Sequence, residues 1–92
     1  MIKSFRHPGI KQFYEIGITK GVRQDHIKRL RKRLAVLDAA VSLDDIKKHN
    51  WGLHPLKGNL EGCHAINVSG NWRLFFEFKD GNIYVLDYAD YH

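Results

Sequence analysis

Side chains that can move protons or hold a phosphate are grouped in three stretches of the second half of the sequence. The stretches are LHPLKG from position 53, NWRLFF from position 71 and the final DYH. They contain the candidate residues His54, Lys57, Arg73, Asp90, Tyr91 and His92. Cleavage of RNA by its own 2′-hydroxyl needs one group to accept a proton, another to protonate the leaving 5′-oxygen, and cations at the phosphate. Histidine suits the proton steps, and Lys and Arg suit the phosphate.

Each candidate also has an ordinary structural explanation. His54 can be a loop residue, Lys57 a solvated surface charge, and Arg73 one half of an exposed cross-strand ion pair. The last three residues can be a polar chain end that frays. The chemical interpretation therefore requires that folding brings these side chains to one place.

Ligand spacings typical of a metal site are missing from the sequence. It has neither an HExxH motif nor a CxxC pair, so a zinc site is not expected. The only ligand set that could be suggested is His54, His64, Asp90 and His92. The single cysteine, Cys63, cannot form an internal disulfide and is expected to be a bystander beside His64. We expect neither a metal nor a cofactor.

The charge of the chain indicates an anionic partner. Fifteen Lys and Arg against ten Asp and Glu give a net charge of +5 and a pI near 9.5. Five cations fall within six positions, namely Lys28, Arg29, Arg31, Lys32 and Arg33. Such a cluster releases counterions when it meets phosphates, so it is predicted to bind RNA or the ribosome. A solvated helix face is the ordinary alternative.

Neither a membrane span nor a leader is predicted. No stretch approaches the roughly 20 apolar residues that a membrane span requires. The opening MIKSFRHPG lacks the apolar core of a signal peptide. We therefore expect a cytoplasmic protein without a membrane partner.

Helices are predicted in the first half of the chain. Pro8 in a first turn and Gly17 at an end bound one helix. Asp25 is predicted to cap a long helix, and Ser42 to cap a short one. An apolar stripe with steps of three and four runs along the long helix. Its members are Ile27, Leu30, Leu34, Leu37 and Val41.

The second half has the period of two that is typical of strands. HAINVS, WRLFFEF and NIYVLDY are separated by the turn pairs GN and DG, and IKSF at the start fits a further short strand. WRLFFEF alternates between a face with Leu74 and Phe76 and a face with Arg73. At the chain end, Asp90 and His92 are predicted to point to one side and Tyr91 to the other.

Helices followed by an antiparallel meander predict an α+β fold. The N-terminal helices, led by the apolar stripe of the long one, are expected to pack on one face of a small antiparallel sheet. Residues 1–92 are predicted to form a single domain.

Taken in order, these stretches resemble the HigB group of the RelE-like bacterial toxins. The resemblance runs through IKSF, LDAA, LHPLKG, EG, NWRLFF and DYADYH and covers nearly the whole chain. It implies a RelE-like fold similar to that of microbial ribonucleases. It also implies a toxin of a type II toxin–antitoxin system, which cleaves mRNA in the ribosomal A site and so inhibits translation. The implied partners are the ribosome, mRNA and a HigA-like antitoxin whose helix-turn-helix domain alone contacts operator DNA.

The resemblance also implies roles for the candidate residues. Either His92 or Asp90 would take the proton of the 2′-hydroxyl, and His54 would be the alternative base or the acid. Lys57 and Arg73 would stabilise the phosphate. A further role, stacking on or positioning a base, falls to Tyr91. The products would be a 2′,3′-cyclic phosphate and a 5′-hydroxyl.

The sequence departs from the family pattern beside the proposed phosphate-binding lysine. Relatives often carry an acidic and then a basic residue at the positions of Asn59 and Leu60, and an aromatic residue at the position of Cys63. The codon preference therefore does not follow from the resemblance. The alternative to a metal-independent endoribonuclease is a basic RNA- or ribosome-binding module without catalysis.

Overall fold

The computed structural model describes residues 1–58 and 62–91. Its helices are α1 (Pro8–Ile16), α2 (Ile27–Ala39) and α3 (Leu43–Lys47), with a 3-10 turn at Gln24–His26. Its strands are β1 (His54–Pro55), β2 (Cys63–Ser69), β3 (Trp72–Lys79) and β4 (Asn82–Asp90). Helices come first and strands follow, so the predicted α+β fold is confirmed.

The four strands form one antiparallel sheet in the order β1-β2-β3-β4. Asp80 and Gly81 both have positive φ, 52° and 77°, which is the backbone that a tight two-residue hairpin requires. The predicted DG turn is therefore confirmed. The N-terminal segment, residues 2–6, runs parallel to β4 along its outer edge through bridges at Ile2 and Phe5.

The helices cover one face of this sheet, as predicted. Leu74 and Phe76 of β3 are at most 1% exposed, and so are Leu30 and Leu37 of α2. Burying each of these side chains contributes roughly 1.5–3 kcal/mol relative to leaving it in water. The face of β3 that carries Arg73 is turned away from the helices.

Two details of the long helix were predicted wrongly. Asp25 does not cap it, because the residue lies in the 3-10 turn and forms an exposed ion pair with Arg23 at 3.0 Å. Val41 is 75% exposed, because the chain turns to an extended conformation at Ala40 and leaves the helical stripe. The predicted cap of α3 is confirmed, since Ser42 forms a capping box there.

The N-terminal segment is fixed at both ends. The Ile2 N–H donates to Asp38 Oδ1 of α2 at 3.0 Å, and this bond lowers the pKa of the Asp38 carboxyl. Tyr14 donates to the same carboxylate, and burial, followed by this hydrogen bond, raises the pKa of Tyr14 to about 12. At the other end, the Arg6 N–H donates to Leu86 O at 2.8 Å.

A bulge in β4 changes the spacing of its side chains. The register with β3 shifts between Phe75 and Glu77, and Val85 takes a positive φ of 48°. Such a conformation is strained for a β-branched residue. The Val85 N–H is bound by Ser4 Oγ at 2.9 Å, so the N-terminal segment stabilises the bulge.

Candidate active site

A cleft of about 660 Å³ lies on the face of the sheet that the helices leave open. His54, Ala65, Phe75 and Asp87 are partners in register across all four strands and form one row along its floor. Six lining side chains carry the chemistry of the cleft, namely Arg6, His54, Lys57, Phe75, Asp87 and Tyr91. The structure therefore brings three of the six predicted residues together.

His54 stands at one wall of the cleft, in β1. Pairing of this strand with Ala65 and His64 of β2 makes His54 part of the sheet, although a loop was its ordinary explanation. Its Nδ1 lies 2.8 Å from Gly52 O. A carbonyl oxygen can only accept, so Nδ1 carries the hydrogen and the Nε2 of the neutral ring keeps its lone pair. The exposed imidazole can therefore accept a proton at Nε2.

Lys57 supplies positive charge to the same wall. It is exposed, and the preceding residue is fixed by the bond from Leu56 N–H to Cys63 O at 2.9 Å. Asn59 and Leu60, two of the three departures from the family pattern, lie outside the described residues. The third, Cys63, lines the cleft as a half-buried thiol.

Arg73 lies on the face of the cleft but does not line it. Its register partners are Asn67 and Ala89, one row beyond the row of Phe75. Arg73 Nη1 donates to Gly70 O at 2.7 Å, which holds the guanidinium at the β2–β3 turn. Its cation is therefore placed beside the cleft rather than in it.

An aromatic pair forms the centre of the cleft. The rings of Phe75 and Tyr91 are tilted, with centroids 6.0 Å apart, and Tyr91 is 63% exposed. The Tyr91 N–H donates to Asn71 O at 2.7 Å, so this end of the chain is held to the sheet. Exposed aromatic faces of this kind are suited to stacking with nucleic-acid bases.

Asp90 is on the other face of the sheet. It pairs in register with Trp72, whose side chain packs against the helix layer. The pKa of the Arg23 guanidinium is raised, first by its hydrogen bond to Asp25 and, more weakly, by the charge of Asp90. The predicted alternation of Asp90 and Tyr91 is thus confirmed, and it separates Asp90 from the cleft. His92 lies outside the described residues.

On the covered face of the sheet, a buried hydrogen bond positions the C-terminal end of β4. Tyr88 Oη lies 2.6 Å from His26 Nδ1, and His26 is 1% exposed. Tyr88 also accepts the Arg23 N–H at 3.4 Å, so its hydroxyl joins β4 to both His26 and the start of the 3-10 turn. Burial lowers the pKa of His26 and keeps the ring neutral.

Most basic residues of α2 face away from the sheet and therefore away from the cleft. Four of them, Lys28, Arg29, Arg31 and Lys32, are exposed. Arg33 differs, because its Nε donates to Asn67 O at 2.7 Å and its guanidinium lies 4.7 Å from the centre of the Trp51 ring. Burial accordingly lowers the pKa of Arg33. Arg33 therefore ties α2 to the sheet.

Arg6 and Asp87 are lining residues that the sequence reasoning missed. Arg6 reaches the cleft only because the N-terminal segment pairs with β4, about 80 positions later. Asp87 faces the cleft because the bulge at Val85 changes the alternation of β4. Regular pairing from the DG turn would place Asp87 opposite Leu74 on the covered face, and Arg6 carries no local signal, so neither residue could be found from strand alternation.

Residues 1–58 and 62–91 contain neither a metal-ligand cluster nor a membrane-spanning helix. No group of three His, Cys, Asp or Glu side chains there is arranged to hold a metal ion. No helix in these ranges has the length and apolar character needed to cross a membrane.

Comparison with known proteins identifies the family. A family model described as RelE-like toxin of type II toxin–antitoxin system HigB matches residues 3–92. The chain is 44% identical to Endoribonuclease HigB of Proteus vulgaris over 92 residues, the full length of both proteins. It is 33% identical to Toxin HigB-1 of Vibrio cholerae over 95 residues, which cover 100% of this chain and 98% of the relative. The sequence-based prediction is confirmed: the chain belongs to the HigB-like family of RelE-like toxins, whose type II systems pair a toxin with an antitoxin.

Proposed function

We propose that this toxin is an mRNA endoribonuclease that works on the ribosome, in the A site, and so inhibits translation. The name of the Proteus vulgaris relative, at 44% identity over the full chain, supports the endoribonuclease activity. The observation that carries the proposal is the cleft, which is lined by a histidine, a lysine and an exposed tyrosine. Residues 1–92 act as one RelE-like domain in the cytoplasm, where ribosomes are found.

The reaction is a metal-independent transesterification. The 2′-oxygen attacks the adjacent phosphorus, its proton passes to a base, and the bond from phosphorus to the 5′-oxygen breaks. An acid then protonates that 5′-oxygen, which leaves a 2′,3′-cyclic phosphate and a 5′-hydroxyl. His54 is the base in this scheme, because Nε2 has its lone pair and faces water. The resemblance implies a proton-transfer role for His92, and with His54 as the base this scheme makes His92 the acid.

Two cations stabilise the charge that grows on the phosphorane. Lys57 is in the cleft, and Arg73 reaches it from the neighbouring row when it exchanges its carbonyl contact at the β2–β3 turn for the phosphate. The Phe75–Tyr91 pair stacks with a base and so fixes the ribose relative to His54. Asp90 lies at the end of β4 on the opposite face of the sheet, so the scheme gives it no role in the cleft.

The basic face of α2 binds ribosomal RNA, while the cleft binds mRNA. The two surfaces are on opposite sides of the sheet, so one phosphate cannot contact both. This division explains a requirement for the ribosome, because the cations outside the cleft add affinity only when RNA surrounds the toxin. The antitoxin partner is a HigA-like protein with a helix-turn-helix domain, and the toxin reaches operator DNA only through it.

Mapping of mRNA ends on purified ribosomes tests the proposal. Wild-type toxin is expected to cut mRNA in the A site and to leave a cyclic phosphate and a 5′-hydroxyl. Lys57→Ala should lower the rate about 10²–10³-fold, since one stabilising group of the transition state is lost. Lys79→Ala, which removes a cation that is exposed at the far hairpin, should cleave like wild type. Wild-type toxin that binds ribosomes but leaves all mRNA intact would instead establish the non-catalytic binding module.

A further inference from the structure

A second cation lines the cleft, and the proposed chemistry gives it no role. Arg6 lies on the β4 side of the cleft, across the sheet from His54 and Lys57. Its side chain is exposed, and within residues 1–58 and 62–91 the ion pair found is Arg23–Asp25, which is elsewhere. The positive charge of Arg6 is therefore available to a ligand.

The backbone of Arg6 is hydrogen-bonded to the edge of the sheet. Its N–H donates to Leu86 O at 2.8 Å, and the extended segment before it is fixed by Ser4 Oγ, which accepts the Val85 N–H at 2.9 Å. The start of the segment is tied to α2 through Asp38. Chain ends usually fray, but this one presents its arginine from a fixed position.

The cleft is wide enough for more than one nucleotide. His54 and Asp87 are the ends of the row that crosses four strands, and three strand spacings of about 4.8 Å separate their backbones by roughly 14 Å. A stacked strand of nucleic acid rises about 3.4 Å per nucleotide. Phe75 lies in this row between the two walls and its ring is 6.0 Å from that of Tyr91, so a base can stack there with a phosphate on each side.

Asp87 limits where a phosphate can bind on the β4 wall. One of its carboxylate oxygens accepts the Tyr88 N–H at 2.9 Å, which fixes the negative charge in place. A phosphate is repelled from Asp87 and attracted to Arg6. The free carboxylate oxygen can accept a hydrogen bond from the amino group of a base.

We propose that Arg6 binds the phosphate next to the one that is cleaved, so that the cleft holds two consecutive phosphates of a single-stranded RNA. Lys57 takes the scissile phosphate and Arg6 takes its neighbour. This inference rests on the proposed function and adds a substrate-positioning residue to it. Arg6 takes no part in proton transfer.

Two deoxyadenosine oligonucleotides of different length test the assignment. A dinucleotide and a trinucleotide without terminal phosphates carry one and two phosphates, and they lack the 2′-hydroxyl and are not cleaved. NMR titration should show that wild-type toxin binds the trinucleotide about tenfold more tightly, a difference of about 1.4 kcal/mol, because a charge-assisted contact to the second phosphate is added. Arg6→Gln should abolish this difference, and Arg6→Lys should keep most of it.

Lys3→Gln is the matched control, because Lys3 is an exposed cation of the same segment outside the cleft lining. It should keep the tenfold ratio. Arg6→Gln should also reduce the magnitude of the slope of log affinity against log salt concentration by about 0.7 for the trinucleotide. For the dinucleotide, the slope should be the same as that of wild type. An Arg6→Gln variant that folds and keeps the wild-type ratio would overturn the assignment. Cleavage of mRNA on ribosomes by wild-type toxin tests the proposed function, whereas the affinity ratio tests the role of Arg6, so failure of one is distinguished from failure of the other.

Discussion

A histidine lies at each face of the sheet, and the two histidines are in opposite environments. On the open face, His54 is exposed and donates from Nδ1 to a backbone carbonyl. On the covered face, His26 is 1% exposed and its Nδ1 is hydrogen-bonded to the hydroxyl of Tyr88. Access to water, and not residue type, therefore decides which histidine can exchange protons with a substrate. His54 is placed for chemistry, and His26 is placed to hold β4.

Replacing the exposed histidine should reduce the cleavage rate more than any other substitution considered below. His54→Gln should lower the cleavage rate on ribosomes about 10²–10⁴-fold, because general base catalysis is lost. Its free energy of unfolding should change by less than about 0.5 kcal/mol, since the side chain is at the surface. Single-turnover cleavage and urea unfolding measure the two quantities.

His64 provides a matched control for that substitution. Its Nδ1 also lies near the carbonyl of a glycine two residues earlier, at 3.3 Å, but it stacks on Phe76 and does not line the cleft. His64→Gln should keep the cleavage rate of wild type within about threefold. Equal losses in the two variants would contradict the assignment of a base to the open face.

Replacing the buried histidine should have the reverse result. His26→Ala should lower the free energy of unfolding by about 2–4 kcal/mol, because it removes the buried hydrogen bond to the Tyr88 hydroxyl and opens a cavity. The folded fraction should still cleave mRNA. Urea unfolding gives the first quantity, and cleavage normalised to folded protein gives the second. A variant of unchanged stability would show that the buried pair does not hold β4.

Two neighbouring cations on α2 should separate structure from RNA binding. Arg33→Met should cost about 1.5–3 kcal/mol of stability, because the bond to Asn67 O and the contact with Trp51 are lost. Lys32→Met should change stability by less than about 0.5 kcal/mol but weaken ribosome binding. Thermal unfolding and ribosome sedimentation in graded salt measure both. Equal changes in stability and in ribosome binding for the two variants would contradict the separate roles of Arg33 and Lys32.

The smallest expected effect is a pH dependence of stability that comes from His26. Its pKa is lowered by burial, so the unfolded chain binds the proton more tightly than the folded one. The stabilisation from the neutral ring is present above the unfolded pKa of about 6.5 and is lost as pH falls below it, by at most about 1.4 kcal/mol per pH unit. The stability advantage of wild type over His26→Gln should therefore shrink between pH 7.5 and pH 5.5. An advantage that stays constant over this range would exclude the mechanism.

Local patterns predicted most of the fold. Alternation in β3, the DG turn and the Ser42 cap depend on residues close together in sequence, and each is confirmed. The start of α2 was predicted wrongly because Asp25 is used by Arg23, which competes with capping.

The site was less accessible to sequence reasoning. His54 and Lys57 were found from residue type, and the face of Tyr91 followed from strand alternation. Arg6 and Asp87 were missed, since one depends on pairing between the two ends of the chain and the other on a bulge. The alternation predicted that Asp90 and Tyr91 point to opposite sides of the strand, but it did not indicate which of the two shares a face with His54.

Titration of the toxin with 2′,3′-cyclic AMP, a mimic of the proposed product, tests the central claim most directly. NMR spectra at millimolar nucleotide should show signals of His54, Lys57 and Tyr91 moving together with one dissociation constant. Signals of His26 and Trp72 on the covered face should stay in place. Movement on the covered face, or separate constants for the three cleft residues, would contradict a single site on the open face of the sheet.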